Sequence, residues 1–189
     1  MLAVLTLFWS SLAWGSPFPG TGSSQVVSHK PGLYYSINGF QLDRGKTAWV
    51  QSEGPKQIPS LVTIYKAPDN GRAEQAALTV RVDRLSRRQG LKSYVKRWMK
   101  DYSRFGFDVL TAKPVKVNSQ SAFLLDIISR ETAKQLRQVV FIKNRVAVIL
   151  TCRDNRDQFS KSVQDCNEII KTFQWTAKPP STESQEDRY

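Results

Sequence analysis

The sequence predicts an α+β domain: a single, mainly antiparallel β-sheet covered by helices on both faces, in a three-layer α/β/α sandwich. Three observations carry this. Apolar strands between residues 122 and 151 are separated by turns of a few residues, which makes neighbours antiparallel. Those strands are apolar on both sides: Phe123, Leu125 and Ile127 alternate with Leu124 and Ile128, and Val140 and Ile142 with Val139 and Phe141. A strand apolar on both faces is covered on both. Two amphipathic helical segments, one over residues 91–105 and one following Asp154, are available, one for each side.

The elements follow in order. Residues 1–12 are nearly all apolar, and Ala13-Trp14-Gly15-Ser16 supplies small residues behind them. This reads as a signal peptide over residues 1–15, cut after Gly15 or after Ala13, although its start carries no Lys or Arg. The alternative is a buried N-terminal helix. The apolar run falls short of the roughly 20 residues that span a bilayer, so no transmembrane segment is expected after cleavage. Residues 16–30, rich in Ser, Gly and Pro, read as a linker. The domain is expected over residues 31–176.

Residues 33–37 and 40–42 flank Asn38-Gly39, a strong hairpin signal. Residues 51–60 hold Gly54, Pro55 and Pro59 and read as loop, residues 61–65 as a strand, and Pro68-Asp69-Asn70-Gly71 as a turn. Leu78, Val80 and Val82 point inward on the next strand, with Thr79, Arg81 and Asp83 outward. In the 91–105 helix, Leu91, Tyr94, Val95, Trp98, Tyr102 and Phe105 share the core face, and Gly106 stops it. Pro114 consigns residues 109–117 to a sheet edge. Strands follow over 122–129, 136–142 and 146–151. Asp154 is expected to cap the last helix, whose apolar stripe is Phe159, Val163, Cys166, Ile170 and Phe173. Residues 177–189 read as a disordered tail.

Composition narrows the function. The chain has 189 residues, 40% of them hydrophobic, enough for one domain with a core. One histidine, His29, leaves almost no material for a histidine triad or a multi-histidine metal site. No catalytic motif, cofactor site or metal site is expected. The net charge of +12 implies attraction to anions.

Asn38-Gly39-Phe40, Trp49, Leu91-Lys92-Ser93-Tyr94, residues 118–123 leading into the meander, residues 146–151 and the ending Ile169-Ile170-Lys171-Thr172-Phe173 together resemble the PsbP-like family. That family includes accessory proteins of the photosystem oxygen-evolving complex and small exported bacterial proteins. The resemblance covers roughly residues 32–175. Two features depart from it. Residues 44–48 lack the proline that often precedes the tryptophan, and Ser119 or Ser121 stands where a glycine is common. The resemblance implies a non-catalytic binding or assembly module. Some photosynthetic members bind metals, but this chain has no matching ligand set.

Three groups of residues are candidates for function. The first is the basic run Arg81, Arg84, Arg87, Arg88, Lys92, Lys96, Arg97, Lys100 and Arg104. Either it is the solvated face of a helix, or Arg87, Arg88, Lys92, Lys96, Arg97 and Lys100 bind an anion. In an exported, periplasmic or secreted protein the partner is then a protein or an anionic envelope component rather than nucleic acid. The second is Asp126, among apolar neighbours, where a carboxylate must pair or shift its pKa. Arg137 or Arg145 is the expected partner; the alternative is a small hydrolase using Asp126 or Glu131. The third is Cys152 and Cys166, which share a layer if the helix covers that strand face. They form a disulfide in an oxidising compartment, or stay reduced as small buried hydrophobes. Reach is the difficulty: Cys166 lies about nine residues, about 13 Å, into the helix, while Cys152 is near the strand's end.

Overall fold

The computed structural model describes residues 31–176. The expected signal peptide, linker and tail lie outside the described residues. Asn38-Gly39 does turn a hairpin between β1 (Leu33–Ser36) and β2 (Phe40–Asp43). Gly39 sits at φ 79°, donating its N–H to the Ser36 carbonyl at 3.0 Å. A residue at such a φ closes a three-residue hairpin loop, and glycine takes it without steric cost.

A further strand, β10 (Gln174–Trp175), pairs with β2, Trp175 opposite Phe40. Among the described residues there are therefore two sheets, not one: a three-stranded sheet of order β1-β2-β10 and a seven-stranded one. The rings of Phe40, Phe173 and Trp175 meet at centroid distances of 5.2–6.2 Å and join the first hairpin to the segment around β10. Local periodicity carries no trace of a contact between residues so distant in sequence.

The large sheet comprises β3 (Val50–Glu53), β4 (Leu61–Lys66), β5 (Ala77–Arg84), β6 (Phe107–Val117), β7 (Gln120–Ser129), β8 (Lys134–Lys143) and β9 (Val146–Asn155). Its order is β3-β4-β5-β9-β8-β7-β6, every pair antiparallel. Strand β3 corrects the reading of residues 51–60 as loop throughout. It is an exposed edge, bonded to β4 alone, with Val50 62% exposed, so it shows no apolar alternation. Strand β6 forms the opposite edge and accommodates Pro114 opposite Phe123, where a missing ladder donor is tolerated.

Helices α1 (Leu91–Tyr102) and α2 (Phe159–Lys171) belong to different clusters of buried side chains. Tyr94 and Val95 of α1 pack with Leu125, Ile127, Val140, Ala147 and Ile149. Phe159, Cys166, Ile169 and Ile170 of α2 pack with Val80, Val139, Phe141, Val148, Leu150 and the hairpin's Phe40 and Leu42. Successive residues of β8 and β9 fall alternately in the two clusters, as the period of two requires.

Three local expectations are corrected. Asp154 caps nothing: β9 runs on to Asn155, Asp154 is buried within it, and α2 starts at Phe159 behind Gln158 with no side-chain cap. Phe105 is 65% exposed rather than on the core face. The chain tightens to a 3-10 turn over Ser103–Phe105, and three residues per turn carry Phe105 off the α-helical stripe. Arg81 and Asp83 are only partly exposed, because α1 lies over that side of β5.

Candidate functional site

The basic run divides in four. Arg81 and Arg104 are ion-paired, with Asp83 at 3.2 Å and Asp101 at 3.7 Å. Lys92, Lys96 and Lys100 are exposed along one stripe of α1, at four-residue steps. Arg97 lies over the Tyr94 ring, 5.7 Å from its centroid. Arg84, Arg87 and Arg88 sit at the end of β5 and in the link to α1, all exposed.

The fold adds Arg145 to this set, a residue considered at first only as a partner for Asp126. The Leu85 N–H donates to the Arg145 carbonyl at 2.8 Å, and Arg84 is the register partner of Val146. Arg84, Arg88 and Arg145 therefore line one groove beside the β8–β9 turn, with Asn144 at φ 57°. A second groove continues past Arg88 to Leu91 and Ile142. Among the described residues, Arg84, Arg87, Arg88, Lys92, Lys96, Arg97, Lys100 and Arg145 make no ion pair with a carboxylate. The Lys143-Asn144-Arg145 turn was the available signal, because a hairpin beside β5 brings its tip to the end of that strand.

Between α1 and the sheet lies a cavity of about 50 Å³. Its polar wall is Arg81, Tyr94, Trp98, Tyr102 and Gln138, and its floor Val95, Leu125, Val140 and Ile149. The Arg81 guanidinium stacks 4.5 Å from the Trp98 ring centroid, a cation–π contact. The Tyr94 hydroxyl donates to Asp83 and that of Tyr102 to Gln138, each at 2.5 Å. Burial pushes both phenols up to about 12, and Asp83 adds to the shift at Tyr94. The nearby Trp98 N–H and the Arg81 charge lower the Tyr94 value in turn. Arg81 Nε lies 3.2 Å from Asp83 Oδ1 in their ion pair, whereas Trp98 Nε1 is buried without a hydrogen-bond partner among the described residues. Leaving such a donor unmet costs about 1–3 kcal/mol. The aromatic spacing of α1, read as core packing, gave no sign of this cavity.

Asp126 is committed elsewhere. Its two carboxylate oxygens accept from Arg137 Nε and Nη2 at 2.8 and 2.9 Å, and Arg137 Nη1 donates to Asn167 on α2 at 3.2 Å. Arg137, not Arg145, is the partner. Glu131 lies exposed in the β7–β8 turn, its side chain near Gly106. Cys152 and Cys166 stand at disulfide distance, with Cα atoms 6.1 Å apart, inside the range a bridge requires. The start of α2 at Phe159 rather than Asp154 removes the difficulty of reach. Among the described residues, no three His, Cys, Asp or Glu residues gather as a metal site, and no helix is long and apolar enough to cross a membrane.

No protein-family model matches the chain, and no curated protein matches it in sequence. Solved structures do match in fold. LpqN of Mycobacterium tuberculosis, described as involved in cell envelope biogenesis, superposes with a TM-score of 0.58 at 11% identity, over 72% of this chain and 83% of that one. The cyanobacterial PsbP protein CyanoP from Synechocystis sp. PCC 6803 gives 0.55 at 11% identity, over 79% and 95%. A protein of unknown function from Pseudomonas aeruginosa, described as a putative regulator, gives 0.53 at 21% identity, over 74% and 93%. The chain has the PsbP-like α+β fold, with a large antiparallel sheet and two helices.

Proposed function

We propose that this chain is an exported, non-catalytic binding or assembly module whose basic face takes an anionic component of the cell envelope, or an acidic protein there. The observation that carries the reading is the unpaired state of that face. Eight Lys and Arg side chains from β5, the link, α1 and the β8–β9 turn lack carboxylate partners among the described residues. Adjacent like charges repel, and an anion laid across them relieves that repulsion. Arg84, Arg88 and Arg145, which share a groove, have the forked donors that suit carboxylate and phosphate oxygens.

Export rests on the composition of residues 1–15, with residues 16–30 as linker and 177–189 as tail. The cysteine pair, bridged in this reading, suits a periplasmic or secreted location. The two helices are taken to lie on opposite faces of the large sheet, supported by the alternation of β8 and β9 residues between the two buried clusters. What weighs against a hydrolase using Asp126 is that Arg137 holds both of its carboxylate oxygens.

The test is co-sedimentation of residues 16–189 with vesicles containing an anionic phospholipid, against purely zwitterionic vesicles, across a salt series. Binding to the anionic vesicles alone, weakening as salt rises, is expected, since exposed charges are screened within about 8 Å at physiological ionic strength. Equal binding to both vesicle types, or to neither, removes the anionic-surface reading.

A further inference from the structure

We infer that residues 181–187 of this chain dock in the groove of Arg84, Arg88 and Arg145, so that an outside anion must displace them. The competition rests on the reading of this face as an anion site; the docking does not. The groove offers exposed, unmatched charge. Arg84, Arg88 and Arg145 line it with Leu85, Asn144 and Val146, and none of the three forms an ion pair with a carboxylate among the described residues. The described residues run to Thr176, and Thr176 stands close to this groove. Its N–H donates to the Gly39 carbonyl at 2.9 Å, and the neighbouring hairpin residue, Asn38, accepts from Arg84 Nη2 at 3.4 Å. Strand β10 runs antiparallel to β2, so the chain is heading toward Asn38 as it passes Gly39. Just before that point the Trp175 ring lies 5.8 Å from Nζ of Lys143, in the turn that also holds Arg145.

The sequence beyond Thr176 supplies the occupant. Residues 181–187 hold three carboxylates, Glu183, Glu186 and Asp187, and no Lys or Arg. Three carboxylates answer three guanidinium groups, whose forked donors match a carboxylate with two parallel hydrogen bonds. Length allows the match. Glu183 is seven residues beyond Thr176, an extended reach of about 23 Å at about 3.3 Å per residue. Thr176 is linked to Arg84 by two hydrogen bonds and one hairpin residue. Exposed ion pairs are individually weak and screened by salt, so the tether decides the outcome. A short tether supplies an effective concentration on the order of 1 mM. A segment that binds at about 0.2 mM when free is then docked about five times in six, and weakens an outside anion about sixfold.

The experiment compares amide ¹H–¹⁵N spectra of residues 16–189 with those of Glu183→Gln/Glu186→Gln/Asp187→Asn, whose changes all lie outside the folded domain. The neutral variant is expected to shift the amides of Leu85, Arg88, Asn144 and Val146, and high salt to move the wild-type signals to the same positions. In Arg84→Gln/Arg145→Gln, where both altered side chains are exposed, neutralising the tail is expected to leave those amides unmoved. Unchanged groove amides in the neutral variant would overturn the docking, as would shifts that survive the loss of the two arginines. Shifts that fade on dilution would assign the contact to a second copy's tail and overturn it too. Vesicles containing phosphatidylglycerol test the competition: the neutral variant is expected to bind them about sixfold more tightly, and to lose that gain in Arg84→Gln/Arg145→Gln. No gain, or a gain that ignores the arginines, would overturn the competition. The two readings fail separately. Groove shifts with no vesicle binding by either protein would sink the membrane reading alone, and vesicle binding without groove shifts would sink the docking alone.

Discussion

Asp126 and Arg137 are register partners on β7 and β8, and their side chains close a two-bond fork at 2.8 and 2.9 Å. Both are largely buried, with side-chain exposures of 15% and 22%. Removing one partner strands the other charge. Asp126→Ala is expected to lower unfolding free energy by about 3 kcal/mol, the low end for a buried pair. The double variant Asp126→Leu/Arg137→Leu should recover most of that loss, because apolar residues of similar volume need no counter-charge. Urea denaturation of the three proteins checks it. A double variant as unstable as Asp126→Ala would contradict it.

The cysteine pair closes a loop of sequence separation 14 across the β9–α2 layer. Bridging is expected to add about 3 kcal/mol in the chain-entropy model. Titration of the unfolded, unreduced protein should find no free thiol, and reductant should lower the midpoint of unfolding. Two titratable thiols would show the cysteines to be reduced and merely packed.

Phe105 and Phe173 provide a contrast in burial. Phe173 is fully buried and stacks on Phe141 with ring centroids 3.9 Å apart, whereas Phe105 is 65% exposed. Phe173→Ala is expected to cost about 3–5 kcal/mol. Phe105→Ser should lie within about 0.5 kcal/mol of wild type. Thermal melts of the two variants decide this, and equal losses would mean that Phe105 is packed after all.

Alkaline stability follows from the two phenols beneath α1. Tyr94 and Tyr102 titrate at about 12 in the fold, raised first by burial, against an ordinary value of 10.0. Between those values the unfolded chain has given up its phenolic protons while the native chain keeps them. The unfolded state then binds fewer protons, so stability falls as pH rises through that window. Denaturation at pH 9 and pH 11.5 should show the decline, and Tyr94→Phe/Tyr102→Phe should flatten it. An unchanged slope in the double variant would assign the decline to other groups.

Much of this fold is legible in the sequence, and the reasons it stops being legible are physical. The meander from Gln120 to Asn155 shows itself because residues of both parities are apolar, and the helices because their stripes repeat. Strand β3 is hidden, since an exposed edge needs no apolar alternation. Strand β10 is hidden because the aromatic contact that anchors it joins Trp175 to Phe40, at the other end of the domain. At the basic face, the residues of one segment can be read directly. Arg145 joins them only through the pairing of β5 with β9. The cavity beneath α1 gives no sequence signal at all: Tyr94, Trp98 and Tyr102 stand where packing needs aromatics, and the hydroxyl bonds to Asp83 and Gln138 and the unpartnered Trp98 N–H emerge only from geometry.

The most direct test of the basic face is charge reversal on the stripe of α1. Lys92, Lys96 and Lys100 are exposed and lie off the buried face that Tyr94 and Val95 form. Lys92→Glu/Lys96→Glu/Lys100→Glu is therefore expected to leave the melting temperature within a few degrees of wild type. Each lysine near an anionic membrane surface is worth about 1 kcal/mol, so the triple variant should bind anionic vesicles at least about a hundredfold more weakly. The measurement is the vesicle partition coefficient of wild type and variant at one fixed salt concentration. A folded triple variant that loses binding supports the account; one that binds anionic vesicles as tightly as wild type contradicts it.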